Sequence, residues 1–284
     1  MKRTVEKEQY FTSPELASQC IEFARGLLDF DSYNHIVEPS AGGGAFFERL
    51  PANRRIGLDI EPQHEEIERA DFLRWEPPLF AGPILTIGNP PFGQRAAIAV
   101  KFLDHACRFS EAVAFILPRS FNKYTFQNRI DPYFHLLGSF NCDEFHSTDG
   151  EVVTVKTTFQ VWRRQSTKRK QLELRSTHSD FDMLHCHLSR TTPERLAQIR
   201  EDYPFTVPQV GANFSPRESS SVDRGSHWFI RPNVAGVRER FERMDFSFLK
   251  DMNTAHTSLS KRDIVLAYEK VVSDELRPSG QVHA

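Results

Sequence analysis

The sequence predicts an α/β protein: a doubly wound, mostly parallel sheet with a terminal antiparallel strand, followed by a small C-terminal α+β domain. Three observations predict it. Short apolar runs alternate with helix-period stretches through the first half, which is the pattern of a sheet wound by crossovers. Two of those runs end in glycine- or proline-rich loops, where open parallel sheets carry their ligands. After Arg163 both the periodicity and the sign of the charge change.

The elements follow in order. Ser13 and Pro14 read as an N-cap and first helical residue. Leu16, Ala17, Cys20, Ile21, Ala24, Leu27 and Leu28 then recur at helical spacing. His35–Glu38 is a short strand running into Pro39-Ser40-Ala41-Gly42-Gly43-Gly44, with a helix expected over Ala45–Leu50. Arg55–Asp59 is a second strand. Ile84–Gly88 is a buried strand ending at Asn89-Pro90-Pro91-Phe92-Gly93, and Ala96–Phe109 is a helix. Ala112–Leu117 is an apolar strand stopped by Pro118, and Phe140–Phe145 with Val152–Trp162 forms a hairpin that breaks the alternation. In the tail, Asn213–His227 reads as a loop, while Trp228-Phe229-Ile230 and Val265–Val272 read as packed elements. The division falls in the 163–175 stretch, giving domains 1–165 and 166–284.

Composition bounds the function. With 284 residues, 39% hydrophobic and 26% charged, the chain is an ordinary globular one, which excludes wholesale disorder. No apolar run approaches the ~20 residues of a membrane span, so no membrane partner is expected. The N-terminus lacks the apolar stretch of a secretory signal. Cys20, Cys107, Cys142 and Cys186 lie far apart without a CxxC pair, which argues against a disulfide scaffold or a sequence-evident zinc site and fits the reducing cytoplasm. His178, His185, Cys186 and His187 are likewise too close along the chain to converge readily on one ion. Residues 1–162 carry 16 basic and 22 acidic side chains, and residues 163–284 carry 20 and 16. The basic half, sharpest at Arg163–Arg175, suits a polyanion or is a solvated linker.

Three loops carry chemistry. The glycines after Glu38 allow close backbone approach to a ligand; no Gly-Lys-Ser/Thr follows, so this is not a P-loop, and the G-x-G-x-x-G spacing is absent as well. A plain tight turn is the alternative. Asp59 lies 21 residues after Glu38 at a strand end, the place from which an acid takes ribose hydroxyls in doubly wound folds; a surface acid is the alternative. Asn89-Pro90-Pro91-Phe92 follows a strand directly. Its prolines stiffen the backbone, aiming the Asn89 side-chain oxygen and the Pro90 carbonyl at a ligand while Phe92 adds a flat apolar face. Two acceptors and an aromatic suit a planar group with an exocyclic NH₂; a Pro-Pro turn with a core phenylalanine is the alternative.

Val37–Phe46 together with Asn89-Pro90-Pro91-Phe92 resembles the class I S-adenosylmethionine-dependent N6-adenine methyltransferases, which have a Rossmann-like sheet. Gln9–Pro14 is similar to their N-terminal cofactor motif in the γ order, and Asp71-Phe72 to their adenine-contacting segment. The resemblance spans residues 9 to about 162. It implies that Tyr10, Phe11 and Thr12 hold the methionine end of S-adenosylmethionine, and that Glu38, Ala41, Gly42 and Gly44 line it. It implies that Asp59, with Ile60 beside it, holds the ribose and that Asp71 and Phe72 bracket the adenine. Asn89, Pro90, Pro91 and Phe92 form the catalytic tetrapeptide, with Asn89 also facing the cofactor and Phe92 stacking on the target base. Phe159 supports that base or is a core residue. In the tail, Ser258–Arg262 reads either as an anion site, with Lys261 as substrate contact, or as a helix cap.

The implied activity is methyl transfer to adenine N6 in nucleic acid, DNA before RNA. The alternatives are an RNA adenine methyltransferase, a protein glutamine N-methyltransferase, whose family usually has Tyr where Phe92 stands, and a non-catalytic nucleic-acid-binding subunit. The C-terminal domain is expected to recognise the substrate.

Overall fold

The computed structural model describes residues 12–146, 152–171, 175–211, 213–252 and 258–276. The chain divides into two compact units, Met1–Leu172 and Glu173–Ala284.

The first unit runs α1 (Pro14–Arg25), β1 (His35–Glu38), β2 (Arg55–Asp59), β3 (Glu68–Arg69), β4 (Ile84–Gly88), α2 (Ala97–Phe109), β5 (Ala112–Pro118), α3 (Tyr124–Gln127), β6 (Phe134–His146) and β7 (Val152–Arg164). Helix α1 starts as its sequence dictates: the Leu16 N–H donates to Ser13 Oγ at 3.1 Å, and Pro14 occupies the first turn. The seven strands form one sheet in the order β3-β2-β1-β4-β5-β7-β6. Pairs among β1 to β5 are parallel. Strand β7 runs against β5 and β6 between them, so the last strand in sequence is the reversed one. The order turns back between β1 and β4. Their carboxyl ends therefore flank the switch-point crevice of an open sheet.

Both faces of the sheet are covered, which explains the unbroken apolar runs of β4 and β5. Ile36, Leu85, Ile87, Ala114, Ile116 and Val161 face the Leu16, Cys20 and Ile21 stripe of α1. Their alternates Val37, Ile84, Val113, Phe115 and Leu117 face Ala99, Phe102, Leu103 and Ala106 of α2.

Some elements differ from expectation. The stretch Ala45–Leu50 makes only a 3₁₀ turn, Phe47–Arg49. So few residues ahead of Pro51 cannot carry the cost of nucleating an α-helix. The turn also sends Phe46 into the α1 cluster and Phe47 against Ala41 and Ile67. Strand β6 starts at Phe134, earlier than its pattern indicates, because shifts between Leu136 and Gly138 and between Cys142 and Glu144 interrupt the alternation. The unit division, between Leu172 and Glu173, lies within the expected 163–175 stretch and a few residues beyond 165/166. Arg169 explains why: its guanidinium donates to the carbonyls of Asp131 at 2.7 Å, Phe134 at 2.8 Å and Ile130 at 2.8 Å, and to that of Gln127. Arg164 similarly holds the Cys107 and Ser110 carbonyls. Two cations of the basic run are thereby spent inside the first unit.

The second unit contains β8 (Phe181–His187), α4 (Pro193–Asp202), β9 (Phe205–Pro208), β10 (Arg217–Glu218), β11 (Ser226–Pro232), α5 (Val237–Glu242) and α6 (Lys261–Leu276). Its sheet has the order β10-β9-β11-β8, with every pair antiparallel. Phe181, Phe205, Trp228 and Ile230 pack with Phe241 of α5 and Ile264, Val265 and Tyr268 of α6. Cys186 and Phe229 meet Ile199 of α4 on the other face. The segment Asn213–His227, expected as a loop, also supplies β10 and the start of β11. Among the described residues no helix is long and apolar enough to cross a membrane, and no three His, Cys, Asp or Glu side chains gather as a metal site.

Candidate functional site

The loops after β1, β2 and β4 are tied together by hydrogen bonds that their sequences make possible. Asp59, at the end of β2, accepts the Gly42 N–H at 2.8 Å with Oδ2 and the Glu61 N–H at 2.8 Å with Oδ1. The Ala41 N–H donates to the Leu58 carbonyl at 3.0 Å, and the Gln63 N–H to the Gly42 carbonyl at 3.1 Å. Ser40 Oγ donates to the Asn89 carbonyl at 2.9 Å, joining the β1 loop to the β4 loop. Asn89 Nδ2 donates to Thr12 Oγ1 at 3.1 Å, which adds the segment just ahead of α1.

Two glycines are needed by geometry. Gly44 has φ +85°, a left-handed value that other residues rarely adopt, and its N–H donates to the Ala41 carbonyl at 2.7 Å. At Gly88, φ is +152°, and a Cβ would lie 3.1 Å from Glu38 Cγ. The carboxyl ends of β1 and β4 approach that closely only because β4 ends without a side chain.

Near this contact are two buried oxygens without partners among the described residues, Glu38 Oε2 and Asn89 Oδ1. Glu38 is 3% exposed. Burial holds its carboxyl well above the usual carboxylate range; the Phe47 N–H works against that rise and the Asp59 charge adds to it. Buried acceptors are normally satisfied, so a ligand carrying donors, preferably cationic near Glu38, fits here. Gln63 and His64 stand beside the glycine loop, 3.7 Å and 3.5 Å from where Cβ atoms at Gly43 and Gly44 would be. Sequence reading did not single them out, because the segment carries no motif. It also missed Ser40, whose role appears only when the β4 loop is brought beside it.

After Asn89, Pro90 is buried, Pro91 exposed and Phe92 half-buried, touching the clusters on both sheet faces. The Phe92 carbonyl accepts the Ile98 N–H at 3.1 Å, docking the turn on the start of α2.

The remaining expected residues fall as follows. Ala41 is buried and Ile60 is exposed at the rim. Asp71 caps a short turn, Oδ1 accepting the Leu73 N–H at 3.0 Å. Phe72 is 1% exposed and packs on Phe102, with ring centroids 5.2 Å apart, and on His105. Its side chain packs in the cluster that faces α2. Phe159 is fully buried opposite Ile116, with its ring against Phe23 and Phe140. This inward position on β7 matches the core alternative for Phe159. Tyr10 and Phe11 lie outside the described residues. Lys261 opens α6, its Nζ 5.9 Å from the centre of the Trp228 ring. Beside it, the Ser260 N–H donates to Asp263 Oδ2 at 2.8 Å and the Asp263 N–H to Ser260 Oγ at 3.3 Å, the reciprocal contacts of a helix cap, which was one of the two readings of Ser258–Arg262.

The chain matches no known family description and no curated protein. Among solved structures it is similar to a candidate RNA methyltransferase from Pyrococcus horikoshii, at 18% identity and TM-score 0.44, over 56% of this chain and 87% of that one. It is also similar to TrmN from Thermus thermophilus, at 18% identity and TM-score 0.38, over 54% of this chain and 49% of that one. A type IIL restriction-modification enzyme, MmeI, in complex with DNA aligns at 11% identity and TM-score 0.36, over 94% of this chain and 51% of that one. At such identities these are likenesses of fold alone.

Proposed function

We propose that this chain transfers a methyl group from S-adenosylmethionine to the N6 amino group of adenine in nucleic acid. The observation that carries the reading is the buried Asn89 Oδ1, without a partner among the described residues, at the carboxyl end of β4, beside the glycine loop at the switch point. Bound there, S-adenosylmethionine supplies a methyl group already activated on a sulfonium.

The chain's own residues do the rest. Gly42 and Gly44 leave a floor free of side chains, Asp59 makes the surroundings negative, and a cationic ligand beside the buried Glu38 carboxyl would draw it back toward its charged form. The Asp59 carboxylate, held at both oxygens by backbone N–H groups, keeps lone pairs for ribose hydroxyls. An adenine amine is a poor nucleophile because its lone pair is delocalised into the ring. Asn89 Oδ1 and the Pro90 carbonyl accept its two hydrogens, favouring a pyramidal nitrogen with a localised lone pair. These acceptors are in place before charge develops on nitrogen, which is where preorganised dipoles lower a barrier most. Holding the amine in line with the methyl contributes further. A base within a duplex must first be flipped out, and stacking on Phe92 offsets about 1–3 kcal/mol of that cost.

DNA is the first substrate on the γ order of the motifs, with RNA next. The test is transfer of labelled methyl from S-adenosylmethionine to DNA, ribosomal RNA, other RNA and protein, followed by nucleoside and amino-acid analysis. Label in N6-methyladenine supports the reading. Label in protein glutamine, or none with folded protein, overturns it.

A further inference from the structure

Arg95 and Ala96, between Phe92 and α2, have left-handed backbones, with φ +52° and +61°. Side chains there crowd their own backbone, so such residues are uncommon and persist where something offsets the strain. At Ala96 packing does so, because its methyl is buried in the cluster between the sheet and α2. At Arg95 nothing within the fold does. The residue is exposed, and among the described residues no hydrogen bond, ion pair or ring contact engages its side chain. The turn is also closed on itself. The Phe92 carbonyl accepts the Ile98 and Ala99 N–H groups at 3.1 Å and 3.3 Å, and the Gln94 carbonyl accepts the Ala97 N–H. The first N–H groups of α2 are therefore used within the turn, which leaves the Arg95 guanidinium as the donor it presents. With about 3.8 Å between successive Cα atoms, Arg95 lies within about 11 Å of Phe92.

We propose that Arg95 is a substrate-contact residue that grips a backbone phosphate beside the adenine held at Asn89 and Phe92. This deepens the methyl-transfer reading and rests on it for the identity of the strand. Residues 1–162 carry 16 basic and 22 acidic side chains. That half of the chain has no general attraction for a polyanion, so a phosphate brought to its crevice needs a placed cation. A flipped nucleotide brings its flanking phosphates to the mouth of the site along with its base. The planar fork of a guanidinium matches two phosphate oxygens at once. The left-handed backbone fixes the direction in which the Arg95 side chain leaves the turn. Glycine would hold the same turn with less strain but would supply no cation. The strain and the unused charge thus have one explanation, a partner from outside the fold.

The test compares Arg95→Gln, which removes the charge, with Arg95→Lys, which keeps it, in the full-length protein. Arg95→Gln melts within about 2 °C of wild type, because the side chain has no partner inside the fold; a larger loss would give it a structural role and overturn the proposal. Binding of short single-stranded DNA and RNA, each with one adenine, is measured across salt concentrations with S-adenosylhomocysteine present. At low salt Arg95→Gln binds about tenfold more weakly, and its slope of log affinity against log salt is shallower by about 0.7, while Arg95→Lys keeps the slope. On the strand that binds more tightly, a neutral methylphosphonate then replaces each phosphate flanking the adenine in turn. At one position it weakens wild type about tenfold and leaves Arg95→Gln unchanged. In methyl transfer, KM rises about tenfold in Arg95→Gln with kcat within about twofold. An unchanged salt slope overturns the proposal, as do equal methylphosphonate losses in both proteins at every position, or a wild type that binds neither strand. If wild type binds a strand but transfers no methyl group to it, the proposed function fails alone, and the methylphosphonate pattern still decides the role of Arg95.

Discussion

At the scale of single residues, the site consists of acceptors waiting for donors. Asn89 Oδ1 and Glu38 Oε2 are both buried and have no partner among the described residues, so a donor from a ligand or a water can complete them. Replacing Asn89 by Ala removes the amine acceptor and leaves the glycine loop intact. Its expected cost is about 2–4 kcal/mol in the barrier to methyl transfer, with S-adenosylmethionine affinity near wild type; single-turnover kinetics and calorimetry read the two separately. Glu38 predicts a pH effect. Its buried carboxyl titrates above the ordinary 4.5, so the folded state favours the protonated form. The stability it contributes is full below that ordinary value and is lost as pH rises toward the raised one. Glu38→Gln should therefore lose this slope and melt above wild type at pH 8 while converging with it near pH 4.5, as thermal scans across pH would show. The same substitution should weaken cofactor binding. A wild-type melting curve independent of pH over that range would contradict the assignment.

At the scale of elements, the basic run after β7 is partly structural. Arg169 satisfies carbonyls at the end of α3 and in the turn before β6, and burial lowers its pKa from the ordinary arginine value. Arg169→Ala should cost about 1–3 kcal/mol of stability through orphaned carbonyls, and should leave the salt dependence of nucleic-acid binding unchanged. A shallower salt slope at full stability would instead make it a phosphate contact. Element positions were largely legible in the sequence because their causes are local. The Ser13-Pro14 cap, the apolar runs of β4 and β5, and the prolines after Asn89 all act within a few residues. The turn at Phe47–Arg49 was not legible, since two adjacent phenylalanines read as helix until each finds a different cluster. Phe72 and Phe159 look like ligand-facing aromatics by motif position, and only packing against α2 and α1 reveals them as core.

At the scale of the whole molecule, the two units have separate cores and separate sheets. We propose that the first carries catalysis and the second recognises the substrate. A chain ending at Leu172 should then unfold cooperatively and bind S-adenosylmethionine with near wild-type affinity, while binding nucleic acid at least about tenfold more weakly. Calorimetry and electrophoretic binding assays would measure these outcomes. Full nucleic-acid affinity in the shortened chain would remove the second unit from recognition.

The amino-acid sequence by itself determined which segments become strands, where their ligand-bearing loops fall, and which residue types stand at each strand end. Hydrophobic period, caps and proline act between near neighbours, so they are readable along the chain. Tertiary structure decided which of those residues meet. It placed Ser40 and Thr12 on Asn89, Gly88 against Glu38, and Arg169 on the carbonyls before β6. Such contacts depend on the order in which strands assemble and on the side of the sheet each residue faces, and no local pattern carries that information.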